Sequence, residues 1–190
     1  AGEPSIAYIG ADNNLWVINA DGSNARRLTT DADAVWSAGA SAYASPAWSP
    51  DGARLYVTRG THNSGAIFVI DLQSGEVASV GPQDRFVREV AAAPDSEHIG
   101  YIYDVPAECP FDYGPCLARL DLASGTSETL ACMACGAYTQ PEFAPDGRSV
   151  ALVVLGYESS ALGLYWLGTP EVTLPDVGGD CRHPEYSAQS

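Results

Sequence analysis

One short stretch recurs along the chain and governs what it can fold into. It reads Pro46-Ala-Trp48-Ser-Pro50-Asp51-Gly52 before Arg54-Leu55-Tyr56-Val57, and Pro141-Glu-Phe143-Ala-Pro145-Asp146-Gly147 before Ser149-Val150-Ala-Leu152. A weaker copy, Val90-Ala-Ala-Ala-Pro94-Asp95-Ser96, precedes His98-Ile99-Gly-Tyr101, and Pro184-Glu-Tyr186-Ser-Ala188-Gln-Ser190 ends the sequence. The steps from Pro50 to Pro94, to Pro145 and to Ala188 are 44, 51 and 43 residues. A period near this length with several strands per unit is the signature of a β-propeller. The chemistry of the stretch explains its recurrence. A run with one aromatic suits an inner strand. Pro then fixes φ, Asp caps its own backbone and Gly accepts φ > 0, giving a tight turn into the next strand.

These residues resemble the WD40-like PD40 repeat of TolB-type β-propellers, over four units that cover most of the chain. The resemblance implies an all-β fold of four-stranded antiparallel blades. It also implies a partner in an envelope or multi-subunit assembly. Activity does not follow from it, because one propeller architecture hosts unrelated functions.

Strand patterning divides residues 1–190, read as a single propeller domain, into blades at 1–29, 46–80, 88–131 and 141–174. The first has only three strands at 5–9, 15–18 and 25–29, closed by the Asp21-Gly22 hairpin. The terminal copy at 184–188 aligns with a blade's first strand, so it is expected to complete blade one and close the ring. Two other readings stay open: further blades beyond Ser190, since TolB-type rings usually have six, or two copies sharing one ring. No helical period persists beyond a turn or two, so almost no helix is expected.

The net charge is −15 and all nine basic residues are Arg. Nucleic acid and anionic membrane surfaces, which need basic patches, are therefore disfavoured as partners. No apolar run of about 20 residues is present to span a bilayer. Five Cys in a small acidic all-β chain, opening on Ala1-Gly-Glu-Pro-Ser5 like a terminus left by cleavage, suggest export to a periplasm or the outside.

The expected loops separate onto two faces. One face has tight turns at 50–52, 74–75, 124–125 and 145–147; the other has long connections at 30–45, 60–65, 81–87, 104–116, 131–140 and 175–183. Long loops on a rigid scaffold tend to carry function. The aromatics placed there, Trp36, Tyr43, Phe111, Tyr113 and Tyr138, are the candidate partner contacts. All five Cys fall on the same face. Cys109 and Cys116 bracket a short loop suited to a disulfide. Cys132 and Cys135 form a C-x-x-C that suits a local disulfide, or a bond from one of them to Cys181. Cys132, Cys135, Cys181 and His183 also make a possible tetrahedral zinc set.

Catalytic patterning is sparse. There is no G-x-S-x-G elbow, and His62, His98 and His183 are scattered. The sequence therefore favours a non-catalytic exported propeller, without cofactor, that contacts other protein subunits through its long-loop face. The alternative is a small-ligand-binding or hydrolytic propeller with its site at the channel mouth.

Overall fold

The computed structural model describes residues 5–33, 39–61, 64–106, 113–133, 136–156 and 159–175, with backbone only for Pro106 and Tyr113. Every regular element among them is a β-strand. Blade one comprises β1 (Ser5–Ile9), β2 (Leu15–Asn19) and β3 (Arg26–Arg27). Blade two comprises β4 (Ala42–Trp48), β5 (Arg54–Thr61), β6 (Ser64–Asp71) and β7 (Val77–Val80). Blade three comprises β8 (Phe86–Ala92), β9 (His98–Pro106), β10 (Tyr113–Asp121) and β11 (Ser127–Cys132). Blade four comprises β12 (Ala137–Phe143), β13 (Ser149–Leu155), β14 (Ser160–Trp166) and β15 (Val172–Thr173).

Each blade is an antiparallel meander in chain order, and blades two and three touch through a single parallel pair, Gly65 with Phe86. That approach requires Gly65, because a Cβ there would lie 2.1 Å from the Val87 carbonyl oxygen. No helix among the described residues is long and apolar enough to cross a membrane. The expected closing strand at 184–188 lies outside the described residues.

Blades pack face to face through three apolar seams. Leu15 and Val17 of blade one meet Tyr43, Leu55, Val57 and Ile70 of blade two. Tyr56 and Ile67 turn the other way, onto Val87, Val90, Tyr101 and Leu120 of blade three. Ala91, Ile102 and Leu117 then meet Phe143, Val150, Leu152 and Tyr165 of blade four. Because each interior blade is covered on both faces, its central strands read as continuous apolar runs rather than alternating ones.

The repeated turn is built the same way three times. Gly52 N–H donates to the Ser49 carbonyl at 2.8 Å, Gly147 N–H to Ala144 at 2.8 Å, and Ser96 N–H to Ala93 at 3.2 Å. The turn carboxylates of Asp51, Asp95 and Asp146 each accept the backbone N–H two residues on, at 3.0, 2.9 and 3.0 Å. The Ser49 hydroxyl, then the Ala53 N–H, hold the Asp51 carboxyl below its ordinary range.

Blade three departs at one atom group: Ser96 carries φ 61° where the other copies have Gly52 at 68° and Gly147 at 69°. A left-handed Ser costs about 1–2 kcal/mol, partly offset by the extra chain entropy a Gly would lose on folding. Ser96→Gly is therefore expected to stabilise the protein by about 0.5 kcal/mol, read as a higher urea midpoint at unchanged slope.

Strands reach further toward the long-loop side than the sequence suggests. β5 runs to Thr61 and β6 starts at Ser64, inside the expected 60–65 loop, and β4 and β12 begin at Ala42 and Ala137. Pro46 and Pro141 made these stretches read as loop. Both sit at bulges, where the register shifts between Ala44 and Ala47 and between Thr139 and Glu142. A proline is tolerated in a strand at such a bulge.

Candidate functional site

The inner strands β4, β8 and β12 line the channel side of the blades, and all three carry a register shift in the stretch three to seven residues before the turn proline. Ser45, Glu89 and Gln140 each stand five residues before the turn proline, with φ 52° at Ser45 and 54° at Gln140. The first two reach across to the next blade. Ser45 Oγ accepts the Val90 N–H at 3.2 Å. The Glu89 carboxylate accepts the Thr139 hydroxyl and the Gln140 N–H. These bonds strut successive blades at inner-strand N–H groups, those of Val90 and Gln140.

Glu89→Ala removes the acceptor and leaves partly buried donors unmet, so a loss of about 1–3 kcal/mol is expected, read by chemical denaturation. Glu89→Gln, which keeps an acceptor oxygen, is expected to lose less.

Below the struts the inner strands enclose a cleft of about 600 Å³, lined by Trp48, Glu89, Glu142, Phe143 and the turn prolines Pro50, Pro94 and Pro145. It opens on the tight-turn face. A second depression of about 400 Å³ opens on the other face, lined by Asn13, Tyr43, Thr61, Ser64, Phe86 and Arg88. Toward the same ends of the strands, three arginines lie over aromatics. Arg88 lies 5.5 Å over the Phe86 ring, Arg59 5.5 Å over Tyr43, and Arg85 4.4 Å over Tyr103.

Two of these arginines are anchored by acids. Arg59 pairs with Asp31 at 2.8 Å, and Arg88 donates from Nε to Asp104. The Asp104 side chain is only 5% exposed. Burial pushes its carboxyl pKa up, against the pull of Arg88.

The structure redistributes the sequence candidates. Tyr43 and Tyr138 are 2% and 6% exposed, so they are core residues and not surface contacts. Both belong to strands that the sequence reading took for loops, and both stand seven residues before the turn proline, like the buried Val87. That shared offset was the signal that marked them as core. Tyr43 donates its hydroxyl to Asp31 at 2.8 Å. Burial, then Asp31, push its pKa up to about 12. Burial likewise raises that of Tyr138. Trp36 and Phe111 lie outside the described residues, and Tyr113 is described only as the first residue of β10. Arg85, Phe86 and Arg88 were not picked out from sequence, because Phe86 and Arg88 belong to the start of β8 and arginine was not among the contact types sought.

The cysteines are corrected too. Cys116 bonds to Cys132, with Cα atoms 4.1 Å apart, in place of the expected Cys109–Cys116 and Cys132–Cys135 bridges. The two stand directly opposite each other on β10 and β11. Cys109, Cys135, Cys181 and His183 lie outside the described residues. With its sulfur in this disulfide, Cys132 is not a thiolate ligand for the zinc set. Among the described residues no group of three His, Cys, Asp or Glu side chains is placed to hold a metal.

No protein-family model matches the chain, and no curated protein matches it. Solved structures do. A putative TolB from Agrobacterium tumefaciens superposes with a TM-score of 0.65 at 14% identity, over 85% of this chain and 55% of that one. A puromycin-hydrolyzing peptidase of Mycobacterium tuberculosis gives 0.65 at 17% identity, over 92% of this chain and 29% of that one. The dipeptidyl peptidase 4 of Porphyromonas gingivalis gives 0.61 at 11% identity, over 92% and 31%. The fold is that of a TolB-type β-propeller. The chain spans about half the length of the TolB structure and about a third of the two peptidases.

Proposed function

We propose that this chain, a propeller of TolB type by fold, is a protein-interaction subunit that docks a partner on its long-loop face. The observation that carries this reading is the Phe86–Arg88 stack lining the long-loop depression, with Arg59 and Arg85 stacked on the buried Tyr43 and Tyr103. Arginines stacked on aromatics are the residue types enriched at interfaces, where they combine apolar area with directional hydrogen bonding. They stand out on a chain of net charge −15, so they suit a partner that presents an acidic or aromatic contact. The Cys116–Cys132 disulfide supports an oxidising compartment, and with it an exported protein in an envelope-associated assembly.

The reading is tested by reversible cross-linking in the source cell, followed by purification of the chain under denaturing conditions. Phe86→Ala combined with Arg85→Glu is expected to abolish recovery of a cross-linked partner. Val77→Ser, on the outer edge strand, is expected to leave recovery unchanged. Undiminished recovery with the double variant, confirmed as folded, would contradict a role for this face.

A further inference from the structure

We infer that the seam between blades one and two, on the tight-turn face, binds a small aromatic carboxylate. A pocket of about 400 Å³ lies there between β2, β3 and the ends of β4 and β6, lined by Val17, Asn19, Asn24, Arg26, Trp48 and Leu72. A pocket of a few hundred cubic ångströms with apolar walls and a few fixed polar groups has the form of a small-molecule site.

Its polar side is arranged in advance. Asn19 Nδ2 and Asn24 Nδ2 both donate to Ser23 Oγ, at 3.1 and 3.3 Å. The Ser23 backbone is in turn held by the Asp21 carboxylate at 2.8 Å. Two side-chain amides are thereby fixed on one wall. Arg26 completes it. Its neighbour Arg27 pairs with Asp12, and Arg59, Arg88 and Arg119 pair with Asp31, Asp104 and Glu128. Arg26 makes no ion pair among the described residues.

The carboxylates next in sequence to the pocket residues Gly52 and Leu72 are engaged in their own turns and form no ion pair with Arg26. Asp51 is bonded to the Ser49 hydroxyl at 2.6 Å, and Asp71 to the Ser74 N–H at 2.8 Å, each inside its own turn. Arg26, without an ion pair among the described residues, thus lines a pocket walled by Val17, Leu72 and an indole. A guanidinium recognises a carboxylate through two parallel N–H···O bonds. Trp48 and the aliphatic wall favour an aromatic group carried on that acid.

The test follows the indole N–H signal of Trp48, assigned by its loss in Trp48→Phe, as phenylacetate or phenylacetamide is added to the intact chain. Phenylacetate is expected to shift the signal saturably at about millimolar concentration. The amide has the same shape but lacks the charge and the second acceptor oxygen, and is expected to bind at least about tenfold more weakly. Arg26→Gln, on an exposed two-residue strand, is expected to weaken the acid about tenfold while the rest of the spectrum stays that of the folded protein. Salt at about 0.5 M is expected to weaken the acid and spare the amide. Equal binding of acid and amide, or an unchanged response in Arg26→Gln, overturns the site. So does a shift that never saturates.

Discussion

Phe143→Ala is expected to cost about 3–5 kcal/mol, among the largest losses available to a single substitution in this chain. Phe143 is an inner-strand aromatic of blade four that crosses the seam and lies against Gly100 of blade three. A Cβ on Gly100 would stand 2.6 Å from the Phe143 ring. The glycine is therefore the socket for the ring, and the two positions act as one contact. Gly100→Ala alone is expected to destabilise by about 1–3 kcal/mol through overpacking. In the Phe143→Ala background the same change meets an empty socket and is expected to cost much less. A double-mutant cycle in urea should return a coupling of about 0.5–3 kcal/mol. Additive losses would mean that the ring does not occupy this socket.

The second large effect concerns the disulfide. Cys116 and Cys132 close a loop with a sequence separation of 16. The chain-entropy account assigns about 3 kcal/mol to a crosslink of that span. Cys116→Ala with Cys132→Ala is expected to lose about that much in urea unfolding, and reductant should then change the variant little. A double variant as stable as the parent would show that this bond contributes nothing measurable.

The tight-turn side was legible because its constraints are local. Asp and Gly sit at fixed offsets from a proline, and the turn needs those residue types in that order. The struts were not legible for the converse reason. Ser45 and Glu89 do the same job at the same offset, yet one is a hydroxyl and the other a carboxylate. Only their position across from the next inner strand makes them equivalent, and nothing in the residue types reveals it.

The cysteine pairing shows the same limit. Ala118 faces Thr129 and Arg119 faces Glu128, which extrapolates to Cys116 opposite Ala131. A bulge between Leu117 and Ala118 shifts the register by one and brings Cys132 opposite instead. One extra residue in a strand decides the pairing, and sequence spacing cannot show it. Two of the five candidate contact aromatics, Tyr43 and Tyr138, were misplaced for a different reason. Strands that continue past the core into Gly-, Ser- and Pro-rich stretches look like loops, so Tyr43 and Tyr138 were placed at the surface when they belong to the seams.

Docking of a partner on the long-loop mouth can be tested in place. The most direct measurement places a photo-crosslinking amino acid at Phe86, and in a second version at Ala123 on the tight-turn face, in the source cell. The account predicts a discrete cross-linked species from position 86, lost when Arg85→Glu is added, and none of the same mass from position 123. The same species from 123, or none from 86, would contradict it.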